Sequence, residues 1–474
     1  MNLQTTSDDP QARHAPIAAQ ITRARAAMAT LRGASQARID EAVTALAWAI
    51  YKPDHAVELA KLAVADTGLG NVPDKITKNT RKAFGALRDL LRAKTVGIIE
   101  EDPDKGLVKY AKPVGVVAAI CPSTNPAATP ANKAMMSLKG GNAVIVAPSP
   151  AGYATTARYV ELARVELVKA GFEPDLIQIL AAPVDKAATQ ALMNMADLVV
   201  VTGSQNNVRR AYSSGTPAIG VGAGNVPVIV DETADLDAAA DKIMRSKIFD
   251  NATSCSSENS VILIDEVYDD ALAALERAGG HLATGAARQR VIDTLWRNGH
   301  LNRHIIARDM PVLAEAFDLG PDAAAAKFLM VEETGIGVDY PLSGEKLSLV
   351  LTVYRAGDFA HARQLVHDIL AHEGMGHSCG IHTALPERAR ALAEEIDVVR
   401  VLVNQPHTFG NGGSFDNGLP FTLSMGCGTW AGNSISENLN YKHFINITHL
   451  VTTIPEDKPT EEALFGGYWT KFGK

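Results

Sequence analysis

Four cysteines, Cys121, Cys255, Cys379 and Cys427, are the residues of this chain best suited to covalent chemistry. They are few and far apart, which argues against a disulfide framework or a cysteine-rich zinc site and points to a cytoplasmic protein with reduced thiols. Cys121 ends an apolar run and reads as a packed core residue. Cys379, in GHSCGIHT, sits at a strand edge, and Cys427, in MGCGTW, lies between glycines that allow close backbone approach. Cys255 differs. Its surroundings, DNATSCSSENS, are small and polar and fall between an amphipathic helix and a strand. A loop of that kind can present a thiol to a cleft, with backbone N–H groups free to hold an anion. A lone cysteine is also commonly a small buried hydrophobe. No GxSxG, P-loop or HExxH motif offers a chemistry to rival the thiol. His372, His377 and His382 recur every five residues across glycines, a spacing that does not suit a helical zinc site, and no metal is expected.

Parallel strands and their helices must position that thiol. From Pro113 onward, short apolar runs (114–121, 143–147, 177–180, 198–202 and 226–230) alternate with helix-like stretches at 130–138, 153–169, 186–195 and 206–213. Continuous apolar strands separated by helices predict a parallel sheet covered on both faces, a common home for dinucleotides. A second α/β stretch is expected with strands at 261–264, 328–331, 348–354, 380–383 and 399–403, joined to the first by a helix over 235–249. Residues 17–95 read as helices broken at Lys52–Pro53 and Gly68–Gly70, and the first twenty or so residues as a loose tail. The apolar segment 444–453 either docks on a partner subunit or finishes its own sheet.

The bulk composition bounds the function. The chain has 474 residues, 46% hydrophobic and 21% charged, with a net charge of −8. That length calls for two or three domains, and the charge gives no footprint for nucleic acid or an anionic membrane. No apolar run reaches the length of a membrane span, and the polar start MNLQTTSDDPQARHAP predicts no secretory leader.

The run KIFDNATSCSSENSVIL resembles the cysteine motif of the aldehyde dehydrogenase superfamily, and other segments match it in order from about residue 20. PVGVVAAICPSTNPAATP, KGGNAVIVAPSP, DLVVVTGSQNNV, AIGVGAGNVPVIVDETADLD and EKLSLVLTVYRAGDF look like the family's oxyanion loop, ribose strand, pyrophosphate turn, domain crossing and nicotinamide-side strand. The CoA-acylating branch is the nearest, on CPSTNP, GVGAGN, EKLS, GMGHSCGIHT and GCGTWAGNSISENLNYKHFIN. The bifunctional aldehyde–alcohol enzymes of that branch run much further, and with nothing after Lys474 no alcohol dehydrogenase half is expected.

The resemblance implies two doubly wound α/β domains with a small oligomerisation element. The expected parts are a dinucleotide-binding domain (1–223, with an oligomerisation hairpin near 98–112), a catalytic domain (224–432) and a C-terminal oligomerisation segment (433–474), assembled as a homodimer or homotetramer. It implies Cys255 as nucleophile and Asn125 as oxyanion donor, with Thr124 the alternative. Thr202, Gly203, Ser204, Gly222, Ala147, Pro148 and Glu345 would bind the dinucleotide, NADP or NAD. The stretch Ala147–Pro148–Ser149–Pro150 has no acid to repel a 2′-phosphate, but no Lys or Arg lies nearby until Arg158. Hydrolytic members carry a glutamate where Val221 stands, and valine cannot prime water, so coenzyme A is the expected acyl acceptor. Glu232 or Glu258 could restore a base and make this a hydrolytic enzyme releasing free acid. A nucleotide-binding protein with a dead site is the non-catalytic alternative. His377 either helps deprotonate the CoA thiol or orders its loop. Small aldehydes are implied, and departures from the acetaldehyde-type pattern, such as 147–152 and Leu349, favour sulfoacetaldehyde.

Overall fold

The computed structural model of the protein describes residues 10–474. Two parallel sheets organise it. The first has five strands in the order Ile177–Ile179, Ala143–Ala147, Val116–Ile120, Leu198–Thr202, Ala218–Val221. Valine, isoleucine and alanine dominate these strands, and Val116, Val144 and Val200 are fully buried, as helices on both faces require. The chain starts at the central strand, steps out one way, then returns to Leu198 and steps out the other. That reversal opens a crevice at the strands' carboxyl ends.

The second sheet has seven strands in the order Gly280–Leu282, Phe328–Glu332, Val350–Ala356, Glu258–Ile264, Val226–Val230, Cys379–His382, Val401–Val403. Four residues, Gly222–Asn225, carry the chain from the last strand of the first sheet into this one. Every strand predicted from an apolar run exists, with ends shifted by up to three residues. The largest shift is at Glu258–Ile264. Its polar start, Glu258–Asn259–Ser260, is strand because Val226 and Pro227 pair with it, and tertiary pairing overrides local propensity. The strand Ala218–Val221 escaped the sequence reading, because AIGV continues into a glycine run.

Three helices, Gln36–Tyr51, Pro53–Thr67 and Val72–Leu91, lie where helical spacing predicted them, the first two divided at Lys52–Pro53. The expected loose tail is corrected in part. Residues 1–9 lie outside the described residues, but Pro10–Ala29 is helix. Ile17, Ile21, Ala24 and Ala27 recur every three or four residues and are all buried in the first core, which anchors the segment. The hairpin expected near 98–112 forms from Gly97–Asp102 and Leu107–Pro113. The strand Ile445–Val451 pairs with it in seven registered positions, so the C-terminal segment finishes a sheet of its own chain. Leu450 and Val451 stay exposed on that sheet.

Candidate active site

The crevice of the first sheet widens into a cavity of about 770 Å³. Five of the residues expected to hold a dinucleotide, Ala147, Pro148, Thr202, Gly203 and Ser204, line it together. They meet because each lies at or just beyond the carboxyl end of a parallel strand. Ser204 caps the helix Gln205–Tyr212 by accepting from the Asn207 N–H, so the positive end of that helix faces the cavity. Small side chains and a helix start suit a dinucleotide's phosphates. Lys186, Arg209, Arg210 and Arg303 also line the wall. Sequence proximity to Ala147 could not reveal them; Arg303 arrives from the far half of the chain. Gly222 and Glu345 are not part of this wall. A Cβ on Gly222 would meet the Gln205 amide at 2.1 Å, and the Glu345 carboxyl accepts the Gly224 backbone N–H.

Cys255 stands three residues before the central strand Glu258–Ile264 and is the one partly exposed cysteine; Cys121, Cys379 and Cys427 are buried. The crossing segment Gly222–Asn225 runs directly beneath it. A Cβ on Gly224 would stand 2.3 Å from the Cys255 carbonyl oxygen, 3.0 Å from its Cβ and 2.9 Å from Nε2 of His377. Only glycine permits that approach, and imidazole and thiol flank the same residue. His377 is buried, its Nδ1 is 2.7 Å from the Ser378 hydroxyl, and its Nε2 has no protein partner. Burial, with Arg400 and His407 nearby, lowers its pKa well below normal, so the ring is neutral.

Burial also pushes the Cys255 thiol up to about 12, with Glu345 and Cys427 adding to the shift and Arg400 and Ser256 opposing it. At rest Cys255 is therefore a thiol that needs help to ionise. Asn125 sits on the loop after the central strand Val116–Ile120. Its Oδ1 is buried without a partner, and its NH₂ makes only a 3.5 Å contact with Thr124, which leaves it free to donate.

A buried ion cluster, which the sequence reading missed, ties the Asn125 loop to the Cys255 loop. Lys75 donates to the Thr124 carbonyl at 3.1 Å and to Asp250 at 3.0 Å. Lys78 donates to the same carboxylate and to Thr253 at 3.1 Å. Asp250, Asn251 and Ala252 all take positive φ values between 52 and 58°. Such left-handed turns in non-glycine residues cost about 1–2 kcal/mol each. The two ammonium groups and the Asn251–Asp309 hydrogen bond (2.8 Å) hold that strained path just upstream of Cys255.

An apolar side chain, an ion pair and a buried hydrogen bond stand at the three candidate positions for a water-activating base. Val221 is a buried strand residue. Glu232 is ion-paired to Arg388. Glu258 accepts from the His407 N–H at 3.1 Å, and burial raises its pKa to about 7. Glu345 is the carboxyl whose charge reaches Cys255, and burial together with Glu373 raises its pKa to about 8. His372, His377 and His382 do not converge, and among the described residues no group of three His, Cys, Asp or Glu is placed to hold a metal. Among the described residues no helix is long and apolar enough to cross a membrane.

A cavity at the carboxyl ends of a doubly wound sheet, with one partly exposed cysteine ahead of the second sheet's central strand, fits a nucleotide-dependent oxidoreductase. The chain belongs to the aldehyde dehydrogenase family, whose model, described as "Aldehyde dehydrogenase family", matches residues 2–303. It is 52% identical over 465 residues to a sulfoacetaldehyde dehydrogenase (acylating) of Cupriavidus necator, covering 98% of this chain and 94% of that protein. A second protein of that description, from Bilophila wadsworthia, is 43% identical and covers 97% and 99%. The crystal structure of an acetylating aldehyde dehydrogenase from Geobacillus thermoglucosidasius superposes with a TM-score of 0.91 at 34% identity, covering 96% of this chain and 100% of that one.

Proposed function

We propose that the protein oxidises sulfoacetaldehyde to its coenzyme A thioester, with NADP or NAD as oxidant and Cys255 as the acyl carrier. The observation that carries the acylating reading is Val221, a buried apolar residue ending the strand that leads into the crossing segment, at the position where the resemblance puts the water-activating glutamate of hydrolytic members. The names of the similar proteins support the choice of aldehyde. The four cations of the cavity wall favour NADP, because they oppose the charge of a 2′-phosphate.

In this reading the Cys255 sulfur attacks the carbonyl and its proton leaves to solvent. The Asn125 amide and the Cys255 N–H donate to the oxygen as it becomes anionic. Thr202, Gly203 and Ser204 at the crevice would hold a nicotinamide dinucleotide, which would supply the hydride acceptor. The carbonyl re-forms as a thioester on Cys255. Neutral His377, with Nε2 unpartnered beside Gly224, takes the proton of the CoA thiol. The CoA sulfur then bonds to the acyl carbon and Cys255 departs as thiolate. Glu345 would hold the nicotinamide ribose. The domain boundaries expected near 223 and 432 fit this division of labour, and the three-stranded arm would join subunits of a cytoplasmic homodimer or homotetramer.

The test is NAD(P)H formation from sulfoacetaldehyde and neutral aldehydes, with each nicotinamide cofactor, with and without CoA. Turnover is expected to require CoA, and Val221→Glu is expected to gain CoA-independent release of free acid. Free acid formed by the native enzyme without CoA would mean that Glu345 or another carboxyl primes water, and would overturn the acylating reading.

A further inference from the structure

An aromatic strip lies open on the helices Gln36–Tyr51 and Val72–Leu91. The ring centroids of Trp48 and Tyr51 are 6.2 Å apart, those of Tyr51 and Phe84 5.7 Å, and those of Phe84 and Phe415 6.0 Å. Leu91 stands two turns beyond Phe84 on the same helix face. Trp48, Phe84, Leu91 and Phe415 are each 44–52% exposed. Single exposed hydrophobes are ordinary, but a run of neighbouring rings marks an interaction surface. Arg81 and Arg88 hold their guanidinium carbons 5.1 and 5.2 Å from the centre of the Phe415 ring. Asp89 pairs with Arg88, and Asp416 lies near Arg81. Arg92 and Lys94, exposed just past the helix end, leave that end of the strip positive.

A second apolar surface belongs to the C-terminal helix Glu461–Phe472, which buries none of its 12 residues. Leu464, Phe465, Tyr468 and Phe472 fall on one face at helical spacing and are 50–65% exposed. Its ring contacts are internal, Phe465 with Trp469 and Tyr468 with Phe472. A lone helix of this length is marginal in water, so it needs a surface to lie on. Exposed Glu456, Asp457, Glu461 and Glu462 make its approach and first turn acidic, opposite in sign to the Arg92 end of the strip. The lengths also agree, since the stripe from Leu464 to Phe472 rises about 12 Å and each ring-to-ring step of the strip is close to 6 Å. The helix's own chain leads it away from the strip. Asn440 and Tyr441 line one cavity with Ala86 and Leu90, on the helix that carries Phe84. The strand Ile445–Val451 then runs off along the arm hairpin, about 3.4 Å per residue. The strip of one copy is therefore open to the helix of another.

We propose that the aromatic strip around Phe84 receives the C-terminal helix of a second copy of this chain, with the acidic first turn of that helix toward Arg92 and Lys94. This contact is separate from any made by the three-stranded arm, and it depends on neither the aldehyde nor the acyl acceptor. Two measurements on the full chain test it. Amide hydrogen exchange, read by mass spectrometry, is expected to show residues 461–472 protected in the native protein. Phe84→Asp, a change at a half-exposed position remote in sequence, is expected to speed exchange there by about 10-fold or more, as loss of an aromatic anchor at an interface does. For the second measurement two differently tagged copies are co-expressed, one with Phe84→Cys and the other with Phe465→Cys. Mild oxidation is expected to join them in a covalent heterodimer that neither variant forms with the native chain. A helix 461–472 that exchanges freely in the native protein, or is protected equally in Phe84→Asp, would overturn the strip as its docking surface. Absence of a disulfide between copies would overturn the second copy as occupant. A chain carrying both substitutions that links only to itself would place the helix on its own body instead.

Discussion

Around the dinucleotide cavity the chain supplies strand ends, small side chains, a helix start and cations at the rim. Around Cys255 it supplies buried charge, Lys75, Lys78, Asp250 and Arg400, and a neutral buried imidazole, His377. The first region follows from the sheet itself, since parallel strands leave a crevice wherever their order reverses. The second is assembled from distant parts of the chain, and each charge in it is tolerable only because of a particular partner. A cavity made from backbone ends should therefore absorb substitutions that the thiol's surroundings cannot. It also explains why the thiol, not the cofactor wall, carries the strained backbone at Asp250–Ala252.

Three experiments would break or sharpen that contrast. Cys255→Ser is expected to cut turnover by about 10⁴-fold or more, as removal of a covalent nucleophile does. NADP affinity, read by fluorescence titration, should stay nearly unchanged, because the crevice does not depend on the thiol. Residual turnover near the native rate would reject Cys255. Next in size, Asp250→Asn leaves two buried ammonium groups without a carboxylate and is expected to cost about 3–5 kcal/mol of stability by denaturant unfolding, the usual penalty for breaking a buried pair. A stability within experimental error of the native protein would show that the cluster is not the clamp described here. The smallest effect concerns pH. With the Cys255 thiol pushed up to about 12, its thiolate fraction in the protein without cofactor grows about tenfold per pH unit throughout the neutral and mildly alkaline range. Iodoacetamide labelling of Cys255, followed by peptide mass spectrometry, should therefore keep accelerating from pH 7 to pH 10. A plateau near pH 8.5, about where an unperturbed thiol titrates, would contradict that buried setting.

Much of the first sheet was legible because its signal is local. Runs such as 143–147 and 198–201 are apolar for their whole length, and the turns after them carry the glycine and serine that a strand-to-helix join needs. Thr202, Gly203 and Ser204 could be placed together for that reason. The edge strand Ala218–Val221 was missed because only its pairing with Leu198–Thr202 distinguishes it from the glycine crossing that follows. The start of the first helix was missed because Ala and polar residues dilute its apolar face, and burial of Ile17 and Ile21 in the first core decides its order.

The amino-acid sequence by itself determined a pair of doubly wound layers, a thiol loop ahead of a strand and a crossing segment that ends its strand on valine instead of glutamate. Those are matters of residue type and spacing along one stretch of chain. Only the tertiary structure decided that Lys75 and Lys78 would share Asp250, that Arg303 would reach the nucleotide cavity, and that Ile445–Val451 would complete the arm. Each depends on groups far apart in sequence, and the energy of a charge depends on what surrounds it in space.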